Sequence, residues 1–311
     1  MLGRHFEVDV YIGSGVHGAW EHFRRALRAD VSFSWFGSVY TFFLVLGARL
    51  ARRRSIIMLG GVDVANAPEL EYGIWRSRWK GMLLGYALER ADKVYAVDMS
   101  LRRTLERSSG RKWAKVEALP TGYDPERWPA RFPRERMVLC VAGTNSMNRA
   151  RVKGLDLFIA AARHFPDVPF HAIGVDPAVI AELAPSAPPN LRLHPPMPRT
   201  ALLDYYQRAA VYCQPSRSEG LPNALCEAML CGCIPVGTDV GGIPTAIDNC
   251  GFVVPSADAG ALRDGIAQAL AAPESLGLKA REHIAGTFPR TRREETLVAV
   301  IKQLGSAETL R

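Results

Sequence analysis

Apolar residues in this chain follow two rhythms. Short apolar runs, which read as strands buried on both faces, alternate with longer stretches whose apolar positions recur at helical spacing. In the first part the runs fall at Glu7–Gly13 (EVDVYIG), Asp30–Phe36, Ser55–Leu59, Lys93–Asp98 and Val116–Leu119. In the second they fall at Met137–Ala142, Phe170–Gly174, Leu191–Leu193, Val211–Gln214, Cys233–Thr238 and Gly251–Val254. Helices are predicted over Ala19–Arg28, Tyr40–Ala51, Trp75–Arg90, Leu155–Arg163, Ala261–Ala271 and Thr291–Leu304. Two more start behind capping residues: one after Ser100, and Ala201–Ala209 after Thr200. Strands and helices alternating across short turns imply a doubly wound parallel α/β sheet. A chain of 311 residues favours two such domains. The segment from Trp128 to Arg136, with Pro129 and Pro133, reads as the linker between them.

Composition narrows the class. Hydrophobic residues at 48% and charged residues at 23% describe an ordinary globular protein. The longest apolar run, Val39 to Ala48, is about half of a membrane span, and no leader pattern opens the chain. The net charge of +8 is uneven: residues 1–128 hold 20 Lys/Arg against 14 Asp/Glu, and all six Trp. Two readings of that half stand: contact with an anionic partner such as a membrane surface, or scattered solvated charge around core tryptophans. Trp75-Arg-Ser-Arg78-Trp79-Lys80 divides in the same way, between gripping an anion and snorkelling over a core. The six Cys lie mostly inside apolar runs, as small buried hydrophobes in a reducing compartment. Cys231-Gly-Cys233 has no second ligand pair at zinc spacing.

The chemistry concentrates in Ser216–Gly242, SRSEGLPNALCEAMLCGCIPVGTDVGG. Pro222 suits the first position of a helix, whose unbonded N–H groups and positive dipole end would lie at Leu221–Asn223 beside Glu219. Glu227 follows more than a turn later. Such a helix start takes a phosphate while the two carboxylates accept hydrogen bonds from sugar hydroxyls. For a lone pair at this spacing the bland reading, with both glutamates solvated, is the better one, since most carboxylates are surface groups; the residues around them reverse it. Elsewhere, Gly13-Ser-Gly15-Val-His-Gly18 matches GxGxxG, but the acidic residue about 20 positions on is missing. No GxxxxGK[ST] loop occurs, and no feature points to nucleic acid as a partner.

Ser216, Glu219, Gly220, Pro222, Asn223, Glu227, Ala228, Met229, Gly232, Pro235, Val236, Gly241 and Gly242 together closely resemble the signature of family 4 glycosyltransferases. The resemblance extends more loosely over residues 30 to 305. It implies the GT-B fold, two Rossmann-like domains facing a cleft, and a retaining hexosyltransferase with a UDP- or GDP-linked sugar donor and no further cofactor. It assigns donor-sugar hydroxyls to Glu219 and the nucleotide ribose to Glu227. Glu219 and Lys153 become the catalytic residues, and Gly143, Arg149, Arg151, Lys153, Ser216, Gly220, Leu221, Pro222 and Asn223 the rest of the donor site. Lys153 matches the basic residue that neutralises the donor diphosphate. The arginine expected directly after Gly143 is Thr144, so either Arg149 or Arg151 replaces it or that charge is absent. No Asp-x-Asp pair supplies a hard-cation site, so a metal-independent reaction is expected.

Other departures affect the first half. A histidine near the Ser55–Leu59 strand end approaches the reacting sugar in many relatives; Gly60 stands there. Thr245 stands where an acidic residue often follows the glycine pair. By spacing, EVDVY corresponds to the family's second strand, with the first strand–helix unit absent; alternatively Gly13–Gly18 is the family's donor-facing glycine loop. The expected layout is an acceptor-side domain over residues 1–130, a donor domain over 131–290 and a closing helix over 291–311 that crosses back. The acceptor is a glycan, a lipid-linked sugar or a small molecule, and the protein is expected in the cytoplasm, with peripheral contact on the inner membrane face as one of the two readings of the basic half. The rival reading, prompted by Gly60, Thr144 and the short first half, is a nucleotide-sugar-binding or regulatory protein that has lost turnover.

Overall fold

The computed structural model describes residues 1–306. The chain divides into two compact units, Met1–Gly122 with the segment from Arg290, and Tyr123–Pro289. The first unit runs α1 (Gly15–Ala26), β1 (Val31–Trp35), α2 (Val39–Leu50), β2 (Arg54–Leu59), α3 (Arg78–Arg90), β3 (Lys93–Ala96), α4 (Met99–Ser109) and β4 (Val116–Ala118). Its strands are parallel and lie in chain order. A sheet wound in one direction by right-handed crossovers carries their helices on one face, and α1 packs on α2 and α2 on α3. β2 is the spine, buried from Ser55 to Leu59.

Two expectations fail in this unit. Glu7–Gly13 forms no strand. A strand needs an edge to bond to, and this segment lies along α1 instead. Asp9 pairs with Arg25 at 2.5 Å, and Tyr11 sits edge-on to His22 and under the Arg25 guanidinium. The alternate side chains Val8, Val10 and Ile12 are left exposed. GxGxxG therefore lacks its preceding strand. The cap of α4 is Asp98, which accepts from the Ser100 N–H at 2.8 Å; the Ser100 hydroxyl has no partner among the described residues.

The second unit runs β5 (Glu135–Thr144), α5 (Met147–Val152), α6 (Leu155–Ala162), β6 (Phe170–Val175), α7 (Pro177–Leu183), β7 (Leu191–His194), α8 (Arg199–Arg208) and β8 (Ala209–Gln214). It continues through α9 (Asn223–Leu230), β9 (Ile234–Thr238), α10 (Ile243–Ile247), β10 (Phe252–Val254), α11 (Ala259–Ala271) and α12 (Glu274–Thr287). α13 (Arg290–Ser306) follows. The six strands are parallel in the order β10-β9-β8-β5-β6-β7. Numbered within the unit this is 3-2-1-4-5-6 read from the other edge, so the winding reverses between β5 and β8. Val138, Cys140, Val211, Cys213 and Val236 from the central strands meet Phe158, Leu155 and Ile266 in one core. All six cysteines are buried free thiols. Thr200 does not cap α8, which starts at Arg199 after Pro198. Among the described residues no helix is long and apolar enough to cross a membrane.

Candidate functional site

In a doubly wound sheet, ligands bind beyond the carboxyl ends of the strands where the winding reverses. Here those ends are Thr144 of β5 and Gln214 of β8. The chain leaving β5 reaches Lys153-Gly154; the chain leaving β8 reaches Ser216 and Glu219. The two segments touch. Gly154 has φ +71°, and a Cβ there would meet the Pro215 carbonyl oxygen at 1.9 Å. That contact sets Lys153 against Glu219: its Nζ donates to Glu219 Oε1, with the two side chains only 16% and 11% exposed.

Glu219 Oε1 also accepts from Ser216 Oγ and Gln214 Nε2, each at 3.2 Å. Behind it, Tyr212 OH donates to Gln214 Oε1 at 2.9 Å, and Thr238 Oγ1 to the Ser216 carbonyl at 2.5 Å. Ser216 is fully buried, so its role is to aim the carboxylate rather than to meet a ligand from solvent. Tyr212, Gln214 and Thr238 belong to this network and were missed from sequence. A Gln inside the apolar run of β8 was the one signal.

α9 starts just past Glu219. Intrahelical bonding begins with the Cys226 N–H to the Pro222 carbonyl at 3.2 Å, so the amides of Asn223, Ala224 and Leu225 precede it without an intrahelical acceptor. Tyr123 OH donates to Asn223 Oδ1 at 2.9 Å. Leu221 and Pro222 are buried, and Asn223 is exposed. The glycine pair closes the loop: Gly241 has φ +58°, a Cβ there would meet the Glu219 carbonyl oxygen at 2.1 Å, and the Gly242 N–H donates to the Gly220 carbonyl at 2.6 Å.

One turn along α9, Glu227 is half-buried and accepts from the buried Tyr206 OH at 3.4 Å. Burial pushes its carboxyl up to about 7, against the pull of Arg199, Tyr206 and Arg127. If Glu227 holds the ribose, as the family resemblance implies, the hydrogen bond from a ribose hydroxyl is markedly stronger to the ionised form. Nucleoside affinity is therefore expected to rise severalfold, by at most about tenfold, from pH 6 to pH 8, and to stay flat in Glu227→Gln. A nucleoside, which has no phosphate to titrate, isolates the effect in calorimetry. Stability moves oppositely. The unfolded carboxyl ionises near 4.5 and the folded one near 7, so parent stability falls across that window by on the order of 2–3 kcal/mol relative to Glu227→Gln.

The remaining expected residues are spread around this centre. Gly143 is exposed near the end of β5. α5 carries Arg149, half-buried with its N–H on Ser146 Oγ, and Arg151, whose exposed side chain follows a carbonyl that accepts from Arg217. Asp156 holds Arg217 through two bonds of 2.7 Å, which anchors the Ser216–Glu219 loop to α6. Thr144, in place of the expected arginine, is buried, and its hydroxyl has no partner among the described residues. Thr245 is exposed on α10. In the first unit, a Cβ on Gly60 would meet the Phe36 ring at 1.9 Å. Phe36, held at φ +76° with its N–H on the Met58 carbonyl at 3.0 Å, thus fills the space a side chain at 60 would need.

Residues 135–272, within the second unit, match the family model described as glycosyl transferases group 1. A D-inositol 3-phosphate glycosyltransferase of Kribbella flavida is 36% identical over 109 residues, 33% of this chain and 26% of that protein. One from Xylanimonas cellulosilytica is 28% identical over 178 residues, 50% of this chain and 43% of that protein. The chain thus spans less than half the length of these curated relatives. Among solved structures, sucrose-phosphate synthase from Thermosynechococcus elongatus superposes with a TM-score of 0.76 at 18% identity, covering 93% of this chain and 77% of that one. Anabaena HepE in complex with UDP gives 0.75 at 14%, covering 92% and 82%. The two-sheet α/β architecture is that of GT-B glycosyltransferases.

Proposed function

We propose that this chain, whose residues 135–272 match the glycosyl transferases group 1 model, moves a hexose from a UDP- or GDP-linked donor to an acceptor hydroxyl with retention of anomeric configuration. The observation that carries the reading is the Lys153–Glu219 pair at the winding reversal, beside the start of α9 and one turn from Glu227. In the reaction the C1–O bond to the diphosphate breaks and its electron pair stays on the leaving oxygen. Lys153 and the first amides of α9 stabilise that charge, the largest single term in such a step. Glu219 holds the sugar hydroxyls and Glu227 the ribose. The acceptor oxygen bonds to C1 on the face the diphosphate left, and its proton passes to the departing phosphate oxygen. Residues 131–290 form the donor domain in this reading, and the first unit receives the acceptor, a glycan, a lipid-linked sugar or a small molecule. A neighbour by fold, HepE, is named as a complex with UDP-glucose, which favours a uridine donor. The test is incubation with UDP-glucose or GDP-mannose: slow release of nucleoside diphosphate, with water as acceptor, is expected from one of them. A protein that binds both and releases nothing would be the sugar-nucleotide binder without turnover.

A further inference from the structure

The first unit carries a groove of about 1060 Å³ at the carboxyl ends of β1 and β2. Three helices begin on it: Gly15 and Val16 open α1, Ser38 and Val39 open α2, and Ser77, Trp79 and Lys80 stand at the start of α3. Its walls are apolar and aromatic, with Ala19, Val39, Tyr40, Phe43 and Ile74 among them. The rim is apolar too, although it faces water. Val16 is 91% exposed, Trp79 54%, and Met82, one turn beyond Trp79, 67%. Trp20, one turn beyond Val16, and Ile12 are exposed as well. A monomer rarely leaves such side chains together in solvent unless they meet something.

Charge selects the partner. Arg76, Arg78 and Lys80 are exposed on this rim, and none has a carboxylate partner among the described residues; Lys80 stands over the Trp79 ring at 5.6 Å. The carboxylate lining the groove is Glu71. Three helix starts add positive potential on the same side. Exposed Trp beside Arg and Lys, with aliphatic side chains between, is the composition of a surface at the boundary of headgroups and acyl chains. A soluble phosphorylated sugar would satisfy the cations but leave Ile12, Val16 and Met82 in water.

We infer that this face seats the protein on an anionic lipid bilayer, with Val16, Trp20, Trp79 and Met82 at the acyl boundary and Arg76, Arg78 and Lys80 on lipid phosphates. The groove then opens towards the lipid surface. Binding needs no donor, so its outcome is independent of the transfer reading.

The test is co-sedimentation with vesicles of phosphatidylcholine alone or with 30% phosphatidylglycerol, probe concentrations of lipid being varied at low and high salt. The parent is expected on the anionic vesicles only, released by salt, with a blue shift of Trp emission. The triple change Arg76→Gln, Arg78→Gln, Lys80→Gln should weaken binding roughly 100-fold, and Val16→Ser with Trp79→Ser should weaken it several-fold and remove much of the blue shift. Parent-like far-UV circular dichroism and an unchanged thermal unfolding transition show that each variant is folded. The assignment is overturned if the parent ignores lipid charge, if folded variants bind like the parent, or if inorganic phosphate at low millimolar concentration displaces the vesicles. It is also overturned if the Ser variants change the sedimenting mass of the free protein instead, which would make the face a contact between copies.

Discussion

Lys153→Ala is expected to weaken nucleoside diphosphate binding roughly 10- to 100-fold while nucleoside binding stays within about twofold. A charge-assisted contact to phosphate in a mostly buried site is worth about 1.5–3 kcal/mol, and Lys153 is largely buried. In the free protein this ammonium is held by Glu219, so the diphosphate must draw it away from one carboxylate to itself. The alanine variant stays folded because Glu219 keeps Ser216 and Gln214 as donors. Calorimetry with both ligands reads the difference directly. Equal losses for the two would move Lys153 out of the phosphate site.

Glu219→Gln is expected to do the opposite to binding and much more to chemistry. The glutamine keeps an acceptor for Ser216 but releases Lys153 from its carboxylate, so the nucleoside diphosphate should bind as before or a few-fold tighter. Transfer should fall about 100-fold, because a reacting sugar displaced by about 1 Å loses that much in orientation. A merely structural glutamate would lower affinity and rate together, through loss of folded protein. Single-turnover transfer measured beside diphosphate affinity separates these outcomes. If both stay at parent values, Glu219 does not hold the donor sugar.

Glu219, Glu227 and Lys153 were legible through their resemblance to the family's pattern, since two glutamates at this spacing read by themselves as solvated surface groups. Gly154 and Gly241 mark places where backbone meets backbone, and the Gly242 N–H donates to the Gly220 carbonyl. The strand pattern of the second unit was readable for the same reason that its sheet is buried on both faces. The network behind Glu219 was not, since Tyr212 and Tyr206 look like core aromatics until their hydroxyls are seen to reach Gln214 and Glu227. α7 and α12 escaped notice because small and polar residues dilute their apolar stripe. α12 packs through Gly277, whose Cβ would meet the Gly232 carbonyl oxygen at 2.1 Å. Glu7–Gly13 alternates like a strand, yet alternation records only which side chains face together. Here the facing partner is α1.

The tryptophans divide between the two readings that composition left open. Trp113 and Trp128 are core, and Trp75 donates its indole N–H to the Asp63 carbonyl at 2.9 Å. Trp20, Trp35 and Trp79 are surface residues. Trp35 is covered in part by the Arg293 guanidinium, 4.9 Å from its ring, whereas Trp79 lies on the groove.

The most direct test of the donor site is a crystal structure with a saturating nucleoside diphosphate. The ribose should hydrogen-bond to Glu227, and the terminal phosphate should lie between the Lys153 ammonium and the first amides of α9, with the Lys153–Glu219 pair parted. A ligand bound elsewhere, or one bound here with the pair intact and Glu227 untouched, would contradict the reading of Ser216–Gly242 as the place where the donor is held.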